Sequence, residues 1–238
     1  MPDIFENRAE AAKLLASSLV EHKGRNPLIL AIPRGAVSMG SVIAKLLGGE
    51  LDVVLVHKLG APFSAEFATG AIDETGWAYV APFAHEFGAS GRFLEEEKYR
   101  RLQLLRKRRA QYTPFRQPID PQGRIAIVVD DGLATGATMT AALHATRAKK
   151  PAHLVCAVPV AAPDSLEQIA RLADEIMCIY APENFMGVGQ FFRNFAQVDD
   201  DEVIEILRSH STDAKIVDAF RCAPGQAFDE EASDGLRQ

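Results

Sequence analysis

Two adjacent carboxylates followed by a segment rich in glycine and threonine have residue types and spacing suited to chemistry. Asp130 and Asp131 follow the apolar run 125–129. After them come Gly132, Leu133, Ala134, Thr135, Gly136, Ala137 and Thr138. Backbone amides of a tight turn and of the first helical residues can donate several hydrogen bonds to one phosphate. Carboxylates repel phosphate, so we expect the two acids to face sugar hydroxyls or a bound Mg²⁺, as a sugar phosphate would require.

The elements around this segment alternate between strands and helices. Short apolar runs predict buried strands at 28–32, 51–57, 125–129, 154–160 and 176–180. Apolar residues at helical spacing predict helices at 5–20, 37–47, 137–148 and 164–172. This order predicts an α/β fold with a doubly wound, mostly parallel five-stranded sheet. Ligands of such sheets bind at the carboxyl ends of the strands, where the two acids are placed.

The segment from Asp130 to Thr138 resembles the phosphoribosyl pyrophosphate (PRPP) motif of type I phosphoribosyltransferases. The resemblance implies that Asp130 and Asp131 hold the ribose 2′- and 3′-hydroxyls and that the backbone of 132–138 holds the 5-phosphate. It extends to about Arg208, because 58–62 and 187–192 resemble a bacterial subgroup of uncharacterised members. Ala134 stands where 6-oxopurine salvage enzymes place an acid, which leaves the base open.

Family members carry a pyrophosphate-binding turn after the first strand of the sheet. The residues in that place are Pro33, Arg34, Gly35 and Ala36. A turn with exposed amides beside an arginine suits a dense anion. Lys58, just after the second predicted strand, either supplies a further cation to the pyrophosphate or is an exposed lysine at a strand end.

The stretch between the second and third predicted strands is too long for a plain connection. The resemblance implies a mobile lid, at about 59–120, that closes over PRPP. Glu66, Asp73 and Glu74 are candidates for contacts with Mg²⁺-bound water or with the base, or else are solvated acids of a loop. The basic helix predicted at 93–112 favours a solvated charged face over an arm that contacts phosphate.

The resemblance also implies a small hood over the sheet that recognises the acceptor, and we place it at about 183–197. This segment contains Phe185, Phe191, Phe192 and Phe195. One of these rings could stack on a flat nucleobase, while the others pack the hood.

The resemblance implies that the chain moves a 5-phosphoribosyl group from PRPP to a nitrogen acceptor. We expect this acceptor to be a nucleobase. Pyrophosphate would be released, with Mg²⁺ as cofactor, held mainly through PRPP and in part by Asp130 and Asp131. The resemblance also implies a homodimer. The alternative is a regulatory module that senses PRPP without turnover, because the same residues serve binding alone.

Composition narrows the classes of function and of cellular location that the sequence allows. Lys and Arg number 26 against 32 Asp and Glu, so a formal charge of −6 gives no overall attraction to nucleic acid. Cys156, Cys178 and Cys222 form no C-x-x-C pair and predict neither a disulfide framework nor a structural zinc site. No run approaches the roughly 18 apolar residues of a membrane span, so we expect a cytoplasmic protein. One domain is predicted at 1–210, followed by a weakly packed tail at 211–238.

Overall fold

The computed structural model describes residues 5–211, apart from the side chains of residues 65 and 66. Its centre is a parallel sheet of five strands, which are β1 (Leu28–Ala31), β2 (Glu50–Val53), β6 (Ile125–Val129), β7 (His153–Val160) and β8 (Glu175–Tyr180). Their order across the sheet is β2-β1-β6-β7-β8. Because all five run in the same direction, their carboxyl ends lie at one edge of the sheet. The predicted α/β fold with a five-stranded sheet is confirmed.

Helices cover both faces of this sheet. The helices are α1 (Arg8–Ser18), α2 (Ala36–Leu47), α3 (Gly91–Tyr112), α4 (Ala137–Ala148), α5 (Pro163–Ile169) and α6 (Asp200–Ser209). Alternate residues of β1 enter two separate cores: Ile29 packs with residues of α1 and α2, whereas Leu28 packs with residues of α4. Burial on both faces explains why the central strands have continuous apolar sequences.

The predicted strand 51–57 is wrong in its length, because the chain changes sheets within it. After β2, the amide of Val54 still donates to Ala31 O of the central sheet, but Leu55 O accepts from Glu74 N, which directly follows a strand of a second sheet. That second sheet is antiparallel and consists of β3 (Val56–Ala61), β4 (Ser64–Asp73) and β5 (Ala78–Val80). Leu55 and Val56 are buried like the residues of β2, so the apolar run gives no sign of the change.

The insert 59–120 therefore contains most of an antiparallel sheet and, in α3, a helix of 22 residues. Its expected role as a mobile lid stays a prediction. Helix α6 had no counterpart among the predicted elements. The residue before it, Asp199, caps the helix with a side chain that accepts a hydrogen bond from Glu202 N. The predicted tail, with Cys222, lies outside the described residues except for Ser211. Among the helices of residues 5–211, none has the length and apolar character needed to cross a bilayer.

Candidate functional site

The segment after β6 forms the connection that the sequence predicted, between a strand end and a helix start. Gly136 adopts a left-handed conformation with φ 69° and immediately precedes α4. The loop is anchored by Leu133 N, which donates to Val160 O at 2.9 Å, and by Ser165 Oγ, which donates to Ala134 O at 2.7 Å. The first amides of a helix have no partner within the helix, so the start of α4 presents donors to an anion.

Two adjoining cavities lie at this edge of the sheet. The smaller, of about 320 Å³, is lined by the loop 132–138 and by Phe67 and Phe83 of the insert. The larger, of about 690 Å³, is lined by the turn 33–35, by Asp131 and by residues of the hood. Lys58 and Thr138 line both cavities, so the two spaces share a wall. The structure thus brings the two predicted phosphate-binding segments together.

The turn after β1 lies directly against the acidic pair. A Cβ atom added to Gly35 would clash with Oδ2 of Asp131 and would lie 3.0 Å from Nη2 of Arg8. Only a residue without a side chain permits this approach. Gly35 therefore lets the turn that carries Arg34 pack beside the end of β6.

The two acids lie in a poorly solvated place. Burial, reinforced by the charge of Asp131, raises the pKa of Asp130 well above its ordinary value. Burial also raises the pKa of Asp131, although the guanidinium of Arg8 opposes this shift. Arg8 Nε and Nη2 donate to Asp131 Oδ2 at 3.0 and 2.8 Å, and Asp130 Oδ1 accepts from Asp131 N at 2.9 Å. Further hydrogen-bond donors or a nearby cation would stabilise the ionised form of both carboxyls.

The larger cavity carries an excess of positive charge. Its lining includes the cations Arg8, Arg34, Lys58 and Arg108, with Asp131 as the carboxylate among them. Arg108 comes from the basic helix α3, and its Nε lies 3.6 Å from Oδ1 of Asp200. Since a phosphate or pyrophosphate is a dense anion, this lining matches such a ligand in charge.

A neutral imidazole also faces the larger cavity. His57 Nδ1 lies 2.8 Å from the carbonyl oxygen of Lys58, a geometry that places the proton on Nδ1 and leaves Nε2 as an acceptor. Burial, followed by the charges of nearby arginines, lowers the pKa of His57. His57 therefore favours its neutral form at this wall of the cavity.

Comparisons with known proteins agree with this geometry. The family model described as "Phosphoribosyl transferase domain" matches residues 3–193. The chain belongs to the phosphoribosyl transferase family. A Mycobacterium tuberculosis protein named "Putative phosphoribosyl transferase" is 39% identical over 228 residues, covering 93% of this chain and 51% of that protein. The chain thus spans about half the length of the curated relatives it matches. The crystal structure of TT1426 from Thermus thermophilus is 40% identical, covers 87% of this chain and 99% of that one, and superposes with a TM-score of 0.73.

Asp73 and Glu74, two acids of the insert, lie away from the two cavities of this phosphoribosyl transferase domain. Asp73 Oδ1 accepts from Thr75 N at 2.8 Å and from Trp77 N at 3.1 Å, and so holds the turn between β4 and β5. Glu74 receives two hydrogen bonds of 2.7 Å from Arg109. Neither acid lines the two cavities, which argues against the predicted contacts with Mg²⁺-bound water or base. The side chain of Glu66 lies outside the described residues.

The basic helix of the phosphoribosyl transferase domain is not a uniformly solvated face. Arg109 is paired with Glu74 and Arg101 with Glu97, while Arg108 reaches the larger cavity. Arg106 is exposed and fits the predicted solvated face. One arginine of the run is thus in position for the alternative role, contact with a phosphate.

The hood rings also divide by burial. Phe191 and Phe192 are each about 6% exposed and pack into the core, which is the role expected of most of the hood rings. Their predicted part in acceptor binding stays a prediction. Phe185 is half-buried and packs against Phe191, with ring centroids 5.5 Å apart. Phe195 is the hood ring that lines the larger cavity, and the guanidinium of Arg8 lies 3.9 Å from its centre.

Backbone hydrogen bonds join the hood to the first residue that the structure describes, Phe5. Phe5 N donates to Phe191 O at 2.7 Å, and Arg193 N donates to Phe5 O at 2.9 Å, which forms a parallel bridge between Phe5 and Phe192. Their rings lie 5.4 Å apart. The hood also packs against the loop 132–138, which we call the phosphate loop. An added Cβ on Gly132 would lie 2.7 Å from Cγ2 of Val188.

Three residues of the site were missed by sequence reasoning: Arg8, His57 and Arg108. Nothing near Arg8 in the sequence signals its partner, which is 123 positions away. Arg108 carried a usable signal, since it is three residues after buried Leu105 and four before buried Tyr112. Those spacings put all three on one helix face, which separates Arg108 from its exposed neighbours Arg106 and Lys107.

Proposed function

We propose that the chain transfers the 5-phosphoribosyl group of PRPP to a nitrogen acceptor, with release of pyrophosphate. The observation that carries the proposal is the wall shared by the two cavities at Lys58 and Thr138. PRPP has an anionic group at each end of its ribose, and the two cavities offer two neighbouring places for anions. The family assignment supports the same substrate.

The proposed pose of PRPP follows from charge. The 5-phosphate would bind the loop 132–138 at the start of α4, where amides and the hydroxyls of Thr135 and Thr138 supply donors. The pyrophosphate would lie in the larger cavity near Arg34, Lys58 and Arg108. The ribose between them would offer its 2′- and 3′-hydroxyls to Asp130 and Asp131, and so would supply hydrogen-bond donors to these half-buried acids.

In the proposed reaction, the bond between ribose C1 and the pyrophosphate oxygen breaks, and its electron pair leaves with pyrophosphate. The lone pair of the acceptor nitrogen forms the new bond to C1, and the nitrogen loses a proton to water or a neighbouring base. Cations around the pyrophosphate favour its departure because they stabilise the charge that develops on it. We propose a nucleobase as acceptor, as the resemblance to type I phosphoribosyltransferases implies. The hood residues Val188, Gly189 and Phe195 line the larger cavity, where the acceptor would bind.

The residues present fit Mg²⁺ as the cofactor. Mg²⁺ prefers oxygen ligands and is bound in proteins by one or two carboxylates together with substrate phosphates. The half-buried pair Asp130 and Asp131 offers such carboxylates beside the cavities. Burial raises the pKa of both acids, and a nearby cation would offset the cost of their charges. When bound, Mg²⁺ would supply positive charge to the departing pyrophosphate.

The proposal is tested by pyrophosphate release from PRPP and Mg²⁺ with a panel of nucleobases, alongside thermal-shift measurement of PRPP binding. We expect release with at least one base, and its loss in the Asp130→Asn, Asp131→Asn double variant. Binding of PRPP without release for any base would support the alternative, a PRPP-sensing module. Absence of both binding and release would contradict both functions. The homodimer and the cytoplasmic location expected from the sequence remain proposals.

A further inference from the structure

Two histidines and a glutamate converge at the edge of the sheet opposite the candidate site. His22 lies in the short 3-10 turn Val20–His22 after α1, His153 begins β7 and Glu175 begins β8. Both strands start at this edge, and β7 needs its full length, roughly 20 Å, to reach the phosphate loop. The cluster is therefore separate from the two cavities described above.

The three side chains direct their ligand atoms to a common point. His22 Nε2 and His153 Nε2 each lie 3.1 Å from the same carboxylate oxygen, Glu175 Oε2. All three ligand atoms lie within 4.8 Å of one another. Ligands about 2.1 Å from a tetrahedral ion are separated by about 3.4 Å, so only a small adjustment would admit an ion between them.

Hydrogen bonding alone accounts poorly for this cluster. Two imidazoles would have to donate to one oxygen of Glu175, while the buried Oε1 finds no hydrogen-bond partner within residues 5–211. His22 is 2% exposed, and its Nδ1 is likewise without a partner in that range. A cation coordinated by the two Nε2 atoms would use the carboxylate charge and could engage Oε1 as a second oxygen.

The surroundings resemble those of known metal ligands in two respects. Histidines that bind metal commonly have a carboxylate behind the other ring nitrogen, and Asp174 Oδ2 lies 3.9 Å from His153 Nδ1. His153 is also partly exposed, which provides a path for the ion and room for a water ligand. Two imidazoles and one carboxylate are a ligand set suited to Zn²⁺ and similar first-row ions.

We propose that His22, His153 and Glu175 form a binding site for a divalent first-row transition-metal ion, with Zn²⁺ as its representative. Bound there, the ion would join the end of α1 to the starts of β7 and β8. Because α1 also carries Arg8 at its other end, the ion would fix the helix that contacts Asp131.

The test uses the full chain, first treated with a chelator and then titrated with Zn²⁺ by calorimetry. We expect one ion per chain and an increase in thermal stability that saturates at the same ratio. His153→Ala should weaken Zn²⁺ binding by at least about 100-fold, since loss of a second-shell group alone costs about 10- to 100-fold. Co²⁺ should give visible absorption bands in the wild type that His153→Ala removes.

Controls separate this site from others that could take zinc. His85→Ala removes an exposed histidine elsewhere and should leave Zn²⁺ affinity unchanged. Glu175→Gln serves as the second variant if His153→Ala fails to fold, which circular dichroism would detect, and should also weaken binding. Absence of stoichiometric Zn²⁺ binding, or equal affinity in the wild type and the folded ligand variants, would overturn the proposal. The proposed function is tested separately by PRPP binding and pyrophosphate release, so failure of the metal site would leave that proposal standing.

Discussion

Arg8 and Asp131 form a partly buried ion pair that joins the first helix to the end of the central strand. The guanidinium donates through both Nε and Nη2 to Oδ2, while Nη1 donates to Ala196 O at 2.7 Å. One side chain thus connects α1, the phosphate loop and the hood. Because Asp131 is also the acid expected to hold a ribose hydroxyl, binding of PRPP must share this carboxylate with Arg8.

Removal of Arg8 should destabilise the fold. In Arg8→Ala the partly buried carboxylate of Asp131 loses its compensating charge, and we expect a loss of about 2–4 kcal/mol in the free energy of unfolding. Denaturant titration measures it. In the double variant with Asp131→Asn, the loss should be smaller than the sum of the two single effects by at least about 0.5 kcal/mol. Strict additivity would show that the pair does not interact energetically.

Neutralising Asp130 should stabilise the protein while abolishing activity. Since burial raises the pKa of Asp130 above 3.8 in the folded state, the native state binds a proton more readily than the unfolded state. Its charge therefore costs stability, beginning above about pH 4 and reaching its full value above the folded pKa. Asp130→Asn should increase the free energy of unfolding near pH 7 by at least about 1 kcal/mol, because it removes a poorly compensated buried charge.

The dependence of this stability gain on pH tests whether the charge of Asp130 is its cause. Thermal unfolding measured between pH 4 and pH 8 should show the gain in Asp130→Asn shrinking as the pH falls. Glu167→Gln, at an exposed position, should unfold like the wild type throughout. A gain that persists unchanged at pH 4 would contradict the role of charge.

The sequence predicted the central sheet well because its three inner strands, β1, β6 and β7, are buried on both faces. Runs such as Leu28–Ala31 and Ile125–Val129 have no polar interruption, and each ends where a turn begins. The same property explains why the second sheet was not predicted. Leu55 is buried, so the apolar pattern continues through the point where the backbone leaves one sheet and pairs with the other. Periodicity reports burial and does not report which strand is the neighbour.

Arg108 should contribute to PRPP binding, whereas Arg106 should not. Both arginines belong to α3, but Arg108 lines the larger cavity and Arg106 is exposed. Loss of one charge-assisted interaction, about 1.5–3 kcal/mol, corresponds to a roughly 10- to 100-fold increase in the Kd for PRPP in Arg108→Ala. Arg106→Ala, with the same change in net charge, should leave the Kd within about twofold. Equal effects would indicate general electrostatics instead of contact.

The candidate site was predictable only in its local parts. The segments 130–138 and 33–36 are each contiguous, so spacing alone suggested their chemistry. Arg8, by contrast, is 123 positions away from Asp131 in the sequence, and the packing of α1 brings the two together. The larger cavity is likewise lined by residues from widely separated elements. Burial also decided among the hood rings: Phe191, Phe192 and Phe195 are alike in sequence, yet one of these three lines the larger cavity.

Contact between the phosphate loop and the hood depends on the small size of residue 132. In Gly132→Ala the new methyl group would lie 2.7 Å from Val188 Cγ2 and 3.0 Å from Val160 Cγ1, so we expect a loss of about 1–3 kcal/mol in stability from overpacking. Urea unfolding of Gly132→Ala combined with Val188→Ala should recover part of that loss, because both Val188 methyl groups are gone. Failure of the second substitution to compensate would place the strain elsewhere.

The bridge between Phe5 and Phe192 has a consequence for the order in which the molecule is completed. During synthesis Phe5 emerges from the ribosome long before Phe192, and at about 5–20 residues per second the delay is roughly 10–40 s. Leu28–Ala31 and Ile125–Val129 can pair within that interval, because both are made earlier. The first described segment of the chain therefore docks among the last, and the nascent protein can acquire its phosphate loop before its hood is in place.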